Sequence, residues 1–178
     1  MSYTERFTHT IDQLNRWSGW LTAFAVLIVT VLAVFTALAR KFDIGSNALI
    51  EMQWYLFSLV FLLAAGWTLQ QDQHVRVDVL AKRWSPITRL WIDLIGHGLV
   101  LLPLASGLFW LGLQQTISRY SSGEMSPDAG GLLRWPVWAL LPLGFGLLIL
   151  QTLAEMLKLW HQRQSLVQAT PPSQHQES

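Results

Sequence analysis

Two ionisable residues sit inside an otherwise apolar stretch. Asp93 and His97 lie four positions apart between Leu90 and Leu113. On a helix that spacing puts both on one face. An acid and an imidazole inside a membrane could relay a proton or contribute to an ion site. The spacing equally suits a structural pairing, with His97 hydrogen-bonded to Asp93 or to a carbonyl. That is the expectation here, because Asp93 stands only a few residues inside the stretch, where it can reach headgroup depth.

Three other polar groups could bind or anchor. The run from Ser46 through Asn47 to Glu51, Gln53, Trp54 and Tyr55 opens a second apolar stretch. Ser46 or Asn47 can cap a helix there, and Glu51 suits its positive end. In the segment His74-Val75-Arg76-Val77-Asp78-Val79-Leu80-Ala81-Lys82-Arg83, valine alternates from Val75 to Val79 as in a strand. An isolated strand at a membrane surface would leave its edges unpaired. A short amphipathic interfacial helix is predicted instead, with Lys82 and Arg83 reaching phosphates. His74 could ligate a metal, but no second ligand follows at a useful spacing. The run from Ser121 to Pro136, containing Glu124, Ser126, Pro127, Asp128, Gly130 and Gly131, is turn chemistry throughout. There is no Cys, no phosphate-cradling Gly-rich loop and no nucleophile–base pair. No catalytic, cofactor or metal site is expected.

The elements that carry these residues follow from composition. Of 178 residues, 52% are hydrophobic and only 13% charged, about half the ~25% of soluble domains. Mean hydropathy is +0.34. The net charge of +1 excludes a strongly basic nucleic-acid binder. Four stretches, about 17–39, 48–69, 90–113 and 136–159, match the roughly 20 apolar residues that cross a bilayer as helix. Trp17 and Trp20 open the first, Trp54 and Trp67 bracket the second, Trp91 and Trp110 the third. Trp135, Trp138 and Trp160 bracket the fourth. This is an interfacial belt.

The fold class is therefore an all-α integral membrane protein: four transmembrane helices and an interfacial amphipathic segment between the second and third. Residues 1–160 form one membrane domain, and 161–178 read as a disordered polar tail. Eight Lys and Arg residues fall on the two tails and the central loop, against four on the other two loops. Both termini and the central loop are accordingly placed in the cytoplasm. The small-residue triplet Ala37-Leu38-Ala39 follows too long an apolar run to be a signal-peptide cleavage site.

Gly66, beside Ala64 and Ala65, predicts a close helix contact. So do the pairs Gly96/Gly98 and Gly144/Gly146, while Pro103 and Pro142 predict kinks. Only the third stretch holds a charge or a His at depth. A route for a charged solute needs polar groups or broken helices near the midplane, so the chain reads as a scaffold or as one part of a larger assembly. Two other classes fit the residues less well. A haem-bearing redox anchor needs matched axial His residues, and only His97 lies inside a span. A stand-alone four-helix exchanger relies on an acid in its first helix, and 17–39 contains none.

Three motifs in order between the four spans carry a family resemblance: Ser46-Asn47-Ala48-Leu49-Ile50-Glu51-Met52-Gln53-Trp54-Tyr55-Leu56-Phe57, then His74-Val75-Arg76-Val77-Asp78, then Glu124-Met125-Ser126-Pro127-Asp128-Ala129-Gly130-Gly131. Over about residues 15 to 160 the chain resembles the small, DctQ-type membrane subunit of tripartite ATP-independent periplasmic (TRAP) transporters. The resemblance implies a bacterial inner-membrane protein paired with a large multi-span DctM-type subunit that carries the solute and sodium sites. It also implies a periplasmic binding protein that delivers the solute, often a carboxylate. In that reading the small subunit braces the large one. Candidates for the contact are Asn47, Glu51, Gln53, Trp54, Tyr55, Gly66, Glu124, Ser126, Pro127, Asp128, Gly130 and Gly131. Candidates for anchoring at the lipid surface are Trp17, Trp20, His74, Arg76, Asp78, Lys82 and Arg83. Leu133 and Trp138 stand where the family often shows Pro and Lys, so no specific contact is carried over to Trp138.

Overall fold

Helices long and apolar enough to cross a bilayer need no partner for their own backbone, and the structure, a computed structural model, is built from four of them. It describes residues 3–42, 44–71, 86–128 and 131–169. The predicted interfacial segment, with His74, Arg76, Asp78, Lys82 and Arg83, lies outside the described residues, as do Gly130 and the tail from 170.

Helix α1 spans Tyr3–Lys41 and α2 spans Asn47–Gln70. Helix α3 begins as Pro86–Ile95, passes through a π-helical turn at Gly96–Leu101 and continues as Leu102–Ser122. Helix α4 spans Trp135–Ala169. At 1.5 Å per residue, the 39 residues of α1 measure about 58 Å, well beyond a hydrocarbon core of ~30 Å. The helices therefore overrun the apolar stretches. Helix α4 continues through Ala169, past the boundary expected at 160, because His161 to Ala169 contains no Gly or Pro and includes three helix-forming Gln with Arg163, Leu166 and Ala169. Pro171 and Pro172 follow only later.

Helices α2 and α4 pack together at the centre. Helix α1 lies across both, and α3 packs chiefly on α4. Large apolar side chains face outward along α1, α2 and α3, including Phe24, Phe35, Phe61, Leu99 and Trp110. A surface of that kind belongs in lipid or against a partner.

What holds helices together in lipid is close packing rather than exclusion of water. Helix α1 presents a stripe at alternating steps of three and four: Asn15, Ser18, Thr22 and Ala25 are buried, Val29 and Leu32 half-buried, and Thr36 and Ala39 buried again. That is a heptad seam, the pattern that lets two helices stay in register. Glycines serve the same end. A Cβ at Gly144 would stand 2.7 Å from the Leu62 carbonyl, and one at Gly19 would stand 2.8 Å from the Trp67 ring. Gly146 and Gly98 make ordinary or slightly tight contacts with Phe109 and Met156, whereas Gly96 has nothing within 4 Å. The tight contact predicted at Gly96 is therefore absent; that residue lies in the π turn instead.

The π turn has a local cause. Pro103 offers no N–H to the carbonyl four residues back, and its ring crowds that carbonyl. Widening the preceding turn, so that the Leu102 N–H bonds the His97 carbonyl, accommodates the proline without breaking the helix.

Candidate functional site

The polar residues gather at the two ends of the bundle. The end opposite the termini is built from α2 and the α3–α4 loop. Gly123 closes α3 in the left-handed region, φ 62°, which a residue without a Cβ enters at little cost. The chain then doubles back. Met125 pairs antiparallel with Leu133, the Ser126 N–H bonds the Leu132 carbonyl at 2.9 Å, and the Arg134 N–H bonds the Glu124 carbonyl at 3.1 Å. Gly131 fits where a Cβ would meet Ser126 at 2.5 Å, and its N–H bonds the Asp128 carbonyl at 2.9 Å.

Helix α2 grips this hairpin by its backbone. Glu51 Oε2 accepts the Leu132 N–H at 2.7 Å. One helical turn on, the Tyr55 hydroxyl donates to the Leu133 carbonyl at 3.1 Å. Two side chains four apart on one face thus hold the backbone of two consecutive residues, the N–H of Leu132 and the carbonyl of Leu133. Glu124 ties the loop to its flanks through Arg134, at 2.7 Å, and Arg119, at 3.5 Å. The Arg119 guanidinium lies 3.9 Å from the centre of the Trp138 ring, and Tyr120 meets Trp135 edge-on. This end is a clasp.

Several candidates for a partner contact are therefore engaged within the chain. Glu51, Tyr55, Glu124, Ser126, Asp128 and Gly131 belong to the clasp. Gln53 donates to Thr36 of α1 at 2.9 Å. Trp54 is 66% exposed, and Asn47 and Pro127 are exposed. Gly66 is buried deep between helices.

Gly66 marks the second cluster, at the end that carries both termini. A Cβ there would stand 2.1 Å from Asn15 Oδ1 and 3.5 Å from the Leu147 carbonyl. The Asn15 amide donates to Gln151 Oε1 at 2.8 Å and to the Ile11 carbonyl at 3.2 Å. Gln151, fully buried, donates in turn to Asp12 at 3.0 Å and Glu155 at 2.8 Å. Lys158 reaches both carboxylates at 2.8 Å. Gln70 donates to the Asp12 carbonyl at 3.2 Å, and Ser18 Oγ bonds the Leu63 carbonyl of α2 at 3.2 Å. One network therefore joins α1, α2 and α4.

This network adds buried neutral polarity, Asn15 and Gln151, to the reading that only the third span holds a charge or a His at depth. The sequence signal was the heptad stripe of α1 together with Gln151, Glu155 and Lys158 at helical spacing on α4. Asp93 and His97 are the other intramembrane pair. His97 Nδ1 lies 2.7 Å from the Asp93 carbonyl, so the ring serves the backbone beside the π turn. Trp17 and Trp20 are 74% and 72% exposed on α1.

Between the two ends the described hydroxyls bond their own helix. Thr22 bonds Ser18, Thr30 bonds Val26, Ser58 bonds Trp54 and Thr116 bonds Gly112. No charged residue of the described spans lies in the middle of the bundle. The arrangement fixes helices and leaves no polar track along them.

A family model, "Tripartite ATP-independent periplasmic transporters, DctQ component", matches residues 26–162. The curated proteins gave no match.

Proposed function

The chain belongs to the DctQ component family of TRAP transporters, a multi-pass membrane protein of a transport system, and from that premise we propose that it braces a large DctM-type subunit. The transport supported is sodium-coupled uptake of an organic acid delivered by a periplasmic binding protein. The observation that carries this reading is the distribution of polarity. Hydrogen-bonding groups lock the two ends of the bundle, while the outward faces are apolar and, among the described residues, no polar route joins the ends. A charged solute needs such a route. A body that must stay still in the membrane while its neighbour moves needs rigid ends and apolar flanks.

Orientation enters the same proposal. The Lys and Arg distribution supports placing both termini, and with them the Asp12–Gln151–Lys158 network, in the cytoplasm. The Glu51 clasp then faces the periplasm of a bacterial inner membrane. Exposed Trp17, Trp20 and Trp54 would hold the subunit at its two interfaces. Residues 1–160 act as one membrane unit in this reading.

Purification of the tagged chain from its own membrane tests the pairing. A large multi-span protein retained in stoichiometric amount supports the proposal. The small subunit emerging alone from mild detergents that preserve other complexes of that membrane would contradict it.

A further inference from the structure

At the end that carries the termini, residues of α1, α3 and α4 line an open apolar cleft. Phe7 of α1, Leu94 of α3, and Leu153, Met156, Leu157 and Trp160 of α4 line it, enclosing about 490 Å³. That is within the ~300–1,000 Å³ of ordinary ligand pockets. At its mouth, one turn past Trp160, stands Arg163. Its guanidinium lies 4.7 Å from the centre of the Trp91 ring and 5.2 Å from that of Trp160. Those two rings come from different helices and hold the cation at one height.

We propose that this cleft binds one anionic phospholipid, with an acyl chain along Leu153, Met156 and Leu157 and the phosphate on Arg163. Three observations converge. The lining is wholly apolar, and Leu94, Leu153, Met156 and Leu157 lie within membrane-spanning stretches, where hydrocarbon is the available filler. The cation at the mouth is held by aromatic faces, and among the described residues the ion pairs of this end join Lys158, not Arg163, to carboxylates. An arginine fork suits a phosphate oxygen pair and leaves its flat faces to the rings. Trp91 and Trp160 also set the depth, since tryptophan settles at headgroup level. The inference stands apart from the transport reading, because lipid retention is measured without any solute.

Native mass spectrometry of the intact chain, in the complex as purified, provides the test. The probes are phosphatidylglycerol and phosphatidylcholine with identical acyl chains. The wild type should retain one phosphatidylglycerol about fivefold better than phosphatidylcholine, the effect of one basic group at a membrane surface. Arg163→Gln should lose the preference yet still retain a lipid, and Leu153→Trp should retain neither. A photo-activated cross-linker placed at Met156 in native membranes should join to a phospholipid. Equal retention of the two lipids by wild type, unaltered retention by Leu153→Trp, or cross-linking of Met156 to a polypeptide would each overturn the proposal. The last would make the cleft a seat for a partner segment.

Discussion

Replacing Gly66 with alanine adds one carbon at the most crowded point between helices. The new Cβ would stand 2.1 Å from Asn15 Oδ1, about 1.3 Å inside the 3.4 Å of ordinary contact. Asn15 cannot simply turn aside. It is fully buried, and its amide nitrogen is fixed by Gln151 Oε1 and the Ile11 carbonyl. Relief requires a shift of α1 away from α2 and, because α1 lies across both α2 and α4, the loss of the Asn15–Gln151 bond with it. Overpacking costs about 1–3 kcal/mol, and an orphaned buried polar group about 1–3 kcal/mol. The helix gains back about 1 kcal/mol on exchanging Gly for Ala. The balance is a loss of about 3 kcal/mol, and at roughly 2–4 °C per kcal/mol for a chain of this size the melting midpoint should fall by about 6–12 °C. Thermal unfolding in a fixed detergent, followed by tryptophan fluorescence, reads this directly. The double variant Gly66→Ala with Asn15→Ala removes the obstruction, so its loss should be smaller than the sum of the two single losses. A Gly66→Ala protein within about 1 kcal/mol of wild type, or strict additivity in the double variant, would refute the contact and the account of how α1 is held.

Other perturbations address the rest of the molecule. Glu51→Ala removes the acceptor of the Leu132 N–H; hydrogen exchange at Leu132 should accelerate while the helix centres stay protected. Tyr55→Phe, which deletes one partly exposed bond, should cost only about 1 kcal/mol by the same measurement. Lys158→Met leaves Asp12 and Glu155 without their shared cation and should lower stability by about 1–3 kcal/mol, less than the 3–5 kcal/mol of a fully buried pair, because Lys158 is 37% exposed. Adding Asp12→Asn and Glu155→Gln should restore most of that loss in the same melting assay. Replacing Trp17, Trp20 and Trp54 together with alanine should weaken solute uptake by the assembled transporter with solute affinity at the binding protein unchanged; uptake at the wild-type level would count against anchoring by these residues.

The four spans were legible because a bilayer imposes one coarse requirement, some twenty apolar residues in helical form, and each stretch meets it without help from its neighbours. The helix ends were less so. Propensity carried α4 through His161 to Ala169, where hydropathy alone ends at Trp160. The loop motif from Glu124 to Gly131 stood out as turn chemistry, but its partner did not. Glu51 and Leu132 are 81 positions apart, and nothing in either local sequence pairs a helix carboxylate with that particular amide. The terminal-end network was present as a pattern, in the seam from Asn15 to Ala39 and in Gln151, Glu155 and Lys158. Counting charges per span passes over it, because asparagine, serine and threonine carry none and yet fix one helix against another. Pro103 pointed to a distortion, and the structure resolves it as a wider turn that recruits His97 to a backbone carbonyl.

The central claim is that this subunit supports transport without conducting. Uptake of radiolabelled organic acid into proteoliposomes under a sodium gradient tests it most directly, with the small subunit reconstituted alone, then with the large subunit, then with both and the binding protein. The account predicts accumulation only in the complete system and none above empty vesicles for the small subunit alone. Gradient-driven accumulation by the small subunit alone would contradict it.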